Sequence, residues 1–226
     1  MGLAIAAIIG MSVYNLLWSG MKLDDKLRRM HGNYMEALKA DQMLTKDLEN
    51  AIGLDLSANY PDQKVFDGQK HGLAFLTVTP QGIRRVRYSS GMVDFGKVTK
   101  TLIGKKISRL DRMTFLREGA LPIEFLLRQE TSLADWANEV KTQGRPQVVA
   151  AGLRKGTFNC RYAPFTQDMH VTGRKAIVYA DHWDKQGLPM AVSCGFSLYD
   201  HKNPRADIMF RRDIFLAPLE RKDGNG

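Results

Sequence analysis

Hydrophobic and polar positions change pattern twice along this chain. From Leu3 to Trp18 there is no formal charge, and Ser12 and Asn15 are the only clearly polar side chains. After Ser19-Gly20 the apolar residues fall into steps of three and four, at Leu23, Leu27, Met30, Tyr34, Leu38, Leu44, Leu48 and Ile52. That spacing lines them along one face of a helix. Lys22, Asp24, Asp25, Lys26, Arg28, Arg29, Glu36, Lys39, Lys46, Asp47 and Glu49 fill the rest, with nearly balanced sign. The balance points to a solvated amphipathic helix and away from a basic membrane-surface binder. Gly53 is a C-terminal stop, and Pro61 excludes continuation. The expectation is one helix in two parts, an apolar segment at 1–20 and an amphipathic arm at 21–53. Leu23, Leu27, Met30, Tyr34, Leu38, Leu44 and Leu48 form the face that packs on a sheet. The repeat covers too few heptads to demand a coiled coil.

From about residue 60 the period becomes that of strands. Leu73, Phe75 and Thr77 alternate with Ala74, Leu76 and Val78, and Arg84, Val86 and Tyr88 follow the turn residues Pro80, Gln81 and Gly82. This predicts a hairpin. Further short strands are predicted at 98–103, 106–110, 113–117, 124–128, 156–162, 176–180, 189–199 and 208–215. A helix at 133–140, around Trp136, has Thr131 and Ser132 as cap candidates. One helix followed by many strands predicts an α+β domain with an antiparallel sheet. The expected layout places a β-rich globular domain at 54–219 and a polar tail at 220–226.

Several stretches resemble the J-type minor pseudopilin of the bacterial type II secretion system, general secretion pathway protein J. Leu3-Ala4-Ile5-Ala6-Ala7-Ile8 looks like the middle of that family's amino-terminal segment. Asp41 to Ala51 matches its helix end, and Phe66-Asp67-Gly68 leads into Leu73-Ala74-Phe75-Leu76-Thr77 as in the family. Ile83-Arg84-Arg85-Val86-Arg87-Tyr88 and Trp183-Asp184-Lys185-Gln186-Gly187-Leu188-Pro189-Met190-Ala191-Val192 follow in order. Each is a weak pattern alone. Their order and separation span almost the whole chain.

One departure stands against these matches. Pseudopilins resembling this chain begin with a Gly-Phe-Thr-Leu-Leu-Glu type motif, at which a peptidase cuts and the new terminus is methylated. Here Met1-Gly2 runs directly into Leu3-Ala4-Ile5-Ala6, and the first Glu is Glu36. Gly2 is therefore not read as the processing glycine. Truncation is the favoured expectation, since the missing residues would extend the apolar run toward the roughly 20 residues of a full span; a degenerate member is the alternative.

The resemblance implies a pseudopilin fold, a long N-terminal helix packed on antiparallel sheet. It also implies a nonenzymatic subunit of the pseudopilus tip that supports export of folded proteins. Implied partners are the I- and K-type minor pseudopilins, an H-type subunit linking them to the major pseudopilin, and the inner membrane. The implied location is single-pass in that membrane with the globular domain in the periplasm. Leu3, Ile5, Ile8, Ile9, Val13, Leu16 and Leu17 would form the membrane and assembly helix. Ala4, Ala6, Ala7, Gly10 and Ser12 would allow close helix packing, such as a filament core requires. The runner-up is a minor pilin of a type IV pilus or DNA-uptake machine.

Catalytic chemistry finds little support. No nucleophile elbow, Gly-rich phosphate loop or His-Glu-x-x-His motif is present. The five histidines lie scattered, and Asp181-His182-Trp183-Asp184 is expected to be structural or solvent-facing. Asp55, Asp62 and Asp67 are too loosely spaced for a calcium site, which needs convergent oxygens. No metal or cofactor is expected.

The formal charge of +9 and pI near 9.6 raise nucleic acid as a ligand. The excess lies at Lys97, Lys100, Lys105, Lys106, Arg109, Arg112 and Arg117, near Phe95, Phe115 and Tyr88, with Arg84, Arg85 and Arg87 beside them. A basic hairpin with aromatics can track phosphates. Strand charges more often form the wet face of a half-buried sheet, so nucleic acid is not expected. Cys160 and Cys194 are the only cysteines, and alternation places both on inward faces. Two readings stay open, a disulfide permitted by an oxidising compartment and two buried small hydrophobes.

Overall fold

The computed structural model describes residues 2–54, 56, 63–91, 123–138, 146–164, 178–198 and 208–216. Helix α1 (Gly2–Glu49) comes first, and the chain divides into two units, Met1–Glu36 and Ala37–Gly226. The second unit holds strands β1 (Phe66–Gln69), β2 (Gly72–Thr79), β3 (Gly82–Gly91), β4 (Ile123–Ser132), β5 (Gln147–Arg154), β6 (Asn159–Ala163), β7 (Ala191–Leu198) and β8 (Ile208–Phe215). A single helical turn, α2 (Leu133–Ala137), follows β4.

All pairings are antiparallel, in the order β1-β2-β3-β4-β5-β7-β6, with β8 on β7. The two ends of this order come back together, since β1 contacts β6. The Cys160 amide donates to Lys70 O at 2.8 Å in the β1–β2 turn. The result is a nearly closed, barrel-like sheet.

This corrects the α+β expectation and the pseudopilin arrangement of a long helix packed along a sheet. A sheet that curls toward closure buries its inner face against itself, so its core has room for only a few turns of helix. In this unit α1 contributes Ala37, Ala40, Asp41, Leu44 and Leu48 as buried residues, spaced by three, four and seven as one face requires. Thr77 completes the helix end, donating its hydroxyl to Asp47 O at 2.9 Å, with Asn50 O at 3.1 Å. These are among the carbonyls that a helix C-terminus leaves without an internal partner. The chain then passes into the sheet through the Ala51–Thr77 bridge and the Ile52 amide on Leu76 O.

Inside the curl an aromatic row crosses four strands. Tyr162 on β6 meets Phe66 on β1 edge-on at 5.8 Å; Phe66 stacks with Phe75 on β2 at 5.9 Å, and Phe75 with Tyr88 on β3 at 6.5 Å. Such rings supply large buried apolar area and fixed mutual orientation. β7 is buried along its whole length. Val192, Cys194, Phe196 and Leu198 face the core, and the small residues Ala191, Ser193, Gly195 and Ser197 alternate with them. A Cβ on Gly195 would come within 3.1 Å of Phe210 O.

The predicted hairpin is β2–β3, pairing Thr79 with Gly82 across the Pro80-Gln81 turn, where Gly82 takes the left-handed φ of 101°. The helix predicted at 133–140 is present as α2 over Leu133–Ala137, with Ser132 as N-cap accepting from the Asp135 amide; residues 139–140 lie outside the described residues. The strands expected at 98–103, 106–110 and 113–117 lie outside the described residues, as does the tail at 220–226.

Candidate functional site

Three groups of side chains are candidates, and each draws on a sequence-predicted segment. The first is the helix end. Asp47, on the last turns of α1, accepts from Tyr88 Oη and from Arg128 Nε on the same Oδ2, both at 2.6 Å. Arg128 also pairs through Nη1 with Glu130. The guanidinium is buried, with the side chain 5% exposed. Burial by itself pulls Arg128 down, but the hydrogen bond to Asp47 and the surrounding negative groups outweigh it, so the net shift is upward. Burial and the neighbouring Asp47 charge push the Tyr88 phenol up, so it stays a donor. This is a polar clasp joining the helix to β3 and β4.

Asp41 forms a second tie, to Arg212 Nη2 at 3.2 Å. Burial pushes its carboxyl above the ordinary range, and Arg212 opposes this by less. The native chain therefore takes up this proton at a higher pH than the unfolded chain. Ionised Asp41 costs stability at neutral pH, and the penalty fades as pH falls toward the raised value. Asp41→Asn is expected to melt at the same temperature or higher at pH 7, and to lose that part of the gain on acidification. A lower melting temperature at pH 7 would show that the Arg212 contact outweighs burial.

The second group is the seam where the sheet closes. Gly68 and Trp183 exchange backbone hydrogen bonds at 2.9 and 3.5 Å. Trp183 is buried and its Nε1 donates to Gly187 O at 3.0 Å. The Tyr162 hydroxyl donates to Gln69 O at 2.8 Å, with Gly72 O at 3.2 Å; burial, then the nearby thiols, push its pKa up. Of the tempting Asp181-His182-Trp183-Asp184 cluster, Asp181 pairs with Lys70 at 3.2 Å and Arg161 at 3.5 Å, while His182 and Asp184 are exposed. Among the described residues no group of three or more His, Cys, Asp or Glu could hold a metal. Asp55 and Asp62 lie outside the described residues, as do Phe95, Phe115 and the basic positions 97, 100, 105, 106, 109, 112 and 117. Arg85, from the remaining basic group, lies 4.7 Å over the Trp136 ring, so both are engaged locally.

The third group belongs to the Met1–Glu36 unit. Met11, Val13, Tyr14, Leu16, Leu17, Trp18 and Met21 are all exposed, Leu16 by 73%. Tyr14 and Trp18 stack at 6.3 Å, and the Lys22 ammonium sits 5.2 Å from the Trp18 ring. Among the described residues no helix is long and apolar enough to cross a membrane. Leu3, Ile5, Ile8 and Ile9 fall within α1, but their side chains lie outside the described residues, as does that of Met30.

The predicted packing face is divided between the two units. Leu44 and Leu48 are in the core and Leu38 is half-buried, whereas Leu23, Leu27 and Tyr34 are 57, 56 and 47% exposed. Ala37 and Ala40, which lie at zero exposure, were missed because the reading followed large side chains. Extending the same spacing backward from Leu44 to small residues would have found them. Asp47, Arg128 and Tyr88 carried no local signal, since they meet from positions far apart in the chain. No family model, curated protein or solved structure matches the chain.

Proposed function

We propose that this chain is a nonenzymatic assembly subunit, a J-type minor pseudopilin of a type II secretion system, acting at the tip of the pseudopilus. The observation that carries the reading is the helix from Met11 to Met21, whose large apolar side chains are exposed all round. A helix apolar on every side needs an apolar surround, either lipid or the helices of neighbouring subunits. The resemblance supplies the choice between generic anchor and assembly element. Its stretches meet in two places, Asp41–Ala51 with Thr77 and Tyr88 at the helix end and Phe66-Asp67-Gly68 with Trp183 at the seam. In this reading the helix leaves the inner membrane for the filament core, and the sheet body stays in the periplasm to meet the I-, K- and H-type subunits.

The test is co-purification of the full chain, in detergent, with I- and K-type minor pseudopilins from the same genome. A complex stable at micromolar concentration is expected, weakened when Leu16 and Leu17 are changed to Asn. Repeated absence of a complex would remove the assignment.

A further inference from the structure

We propose that Cys160 and Cys194 are the site of a buried cross-strand disulfide that fastens β6 to β7 beside the seam where the sheet closes. The two residues stand directly opposite in the β6–β7 register. Their backbone geometry decides how close the side chains come. The Cys160 amide donates to Lys70 O and the Tyr162 amide and carbonyl both pair with Ala180, so these residues turn their hydrogen-bonding groups away from β7. Cys160 and Cys194 therefore form a non-hydrogen-bonded antiparallel pair. Such pairs have the nearer Cα approach, about 4.5 Å, inside the range of roughly 4.4–6.8 Å that disulfides require. Both side chains point into the core, in which Cys160 has no exposure and Cys194 has 4%, and the sulfurs are in contact at 2.6 Å as thiols.

Oxidation breaks two S–H bonds and forms one S–S bond. The two electrons and two protons pass to an exchangeable disulfide, that of glutathione or of a dithiol oxidoreductase, which becomes two thiols. Burial keeps that oxidant away from the folded sheet, so the exchange belongs to folding, before β6 settles against Lys70. Once made, the bond ties positions 34 apart in sequence and shields itself from reductants.

Formation in the cell rests on the proposed periplasmic placement, whereas the pairing geometry does not. The full chain is taken in two preparations, one isolated from cells with thiols blocked at lysis and one refolded in a mixed glutathione buffer. Each is denatured with iodoacetamide, with and without prior reduction, and weighed intact. The expected result is a mass two hydrogens lighter with no label until reduction, then two labels. A melting temperature that falls on reduction should lose this dependence in the Cys160→Ala, Cys194→Ala double variant. A bond in the refolded sample alone upholds the site and counts against the periplasmic placement. Two labelled thiols in both unreduced preparations would overturn the site.

Discussion

Replacing Arg128 with Ala is expected to cost about 3–5 kcal/mol of folding stability, the range for removing one partner of a buried ion pair. The reason is what remains. Asp47, whose side chain is 12% exposed, would keep only the Tyr88 hydroxyl, and a carboxylate losing its charged partner inside a protein is left with most of its desolvation cost. The same substitution unfastens the end of α1 from β4. Guanidinium unfolding of the full chain measures it directly. A companion variant separates attraction from burial, since Asp47→Leu with Arg128→Met and Tyr88→Phe replaces the whole buried polar group by apolar side chains and should recover much of the loss. A cost below about 1 kcal/mol for Arg128→Ala would mean that water reaches Asp47 and that the clasp is not part of the core.

Gly68→Ala is expected to cost roughly 1–3 kcal/mol, an overpacking effect, although Gly68 lies in a strand where Ala is ordinarily the better residue. A Cβ there would stand 2.6 Å from Tyr162 Cζ and 2.8 Å from both Tyr162 Cε1 and Trp183 Cβ. Neither neighbour can retreat easily. The Tyr162 hydroxyl is held by Gln69 O and Gly72 O, and Trp183 is bonded to Gly68 through the backbone. The strain thus falls on the seam that closes the sheet. A double-mutant cycle tests the cause, because Gly68→Ala in a Tyr162→Leu background should lose most of its effect. An equal cost in both backgrounds would place the strain elsewhere.

Local pattern carried the parts of the structure that depend on near neighbours. The alternation from Leu73 to Tyr88 with Pro80-Gln81 between is the β2–β3 hairpin, and the run 208–215 is β8. Ser132 before Leu133 gave α2 its start. Helix α1 ends at Glu49, before the Gly53 stop that the sequence offered, and amphipathic spacing shows which side is apolar without showing whether anything covers it. Exposed Leu23 and Leu27 carry the same spacing as buried Leu44 and Leu48.

The candidate site divides in the same way. The apolar character of Val13, Leu16 and Leu17 was legible in the residues alone, as was the inward orientation of Cys160 and Cys194. That Asp47, Tyr88 and Arg128 share one carboxylate oxygen was not, because the three lie on α1, β3 and β4 and no spacing rule links them. The role of Gly68 was equally hidden, since it depends on a Tyr and a Trp more than ninety residues downstream.

The sequence by itself indicated a helical segment and most of the described strands, though not β1 or β5, since these follow from backbone periods of 3.6 and 2 residues that any local stretch displays. Tertiary structure alone decided that β1 returns to β6, that the sheet curls instead of lying under a long helix, and that Cys160 stands opposite Cys194. Strand partnership is a choice among distant segments with similar alternation. It is settled by how aromatic rings, small residues and buried charges fit together once the whole sheet has formed.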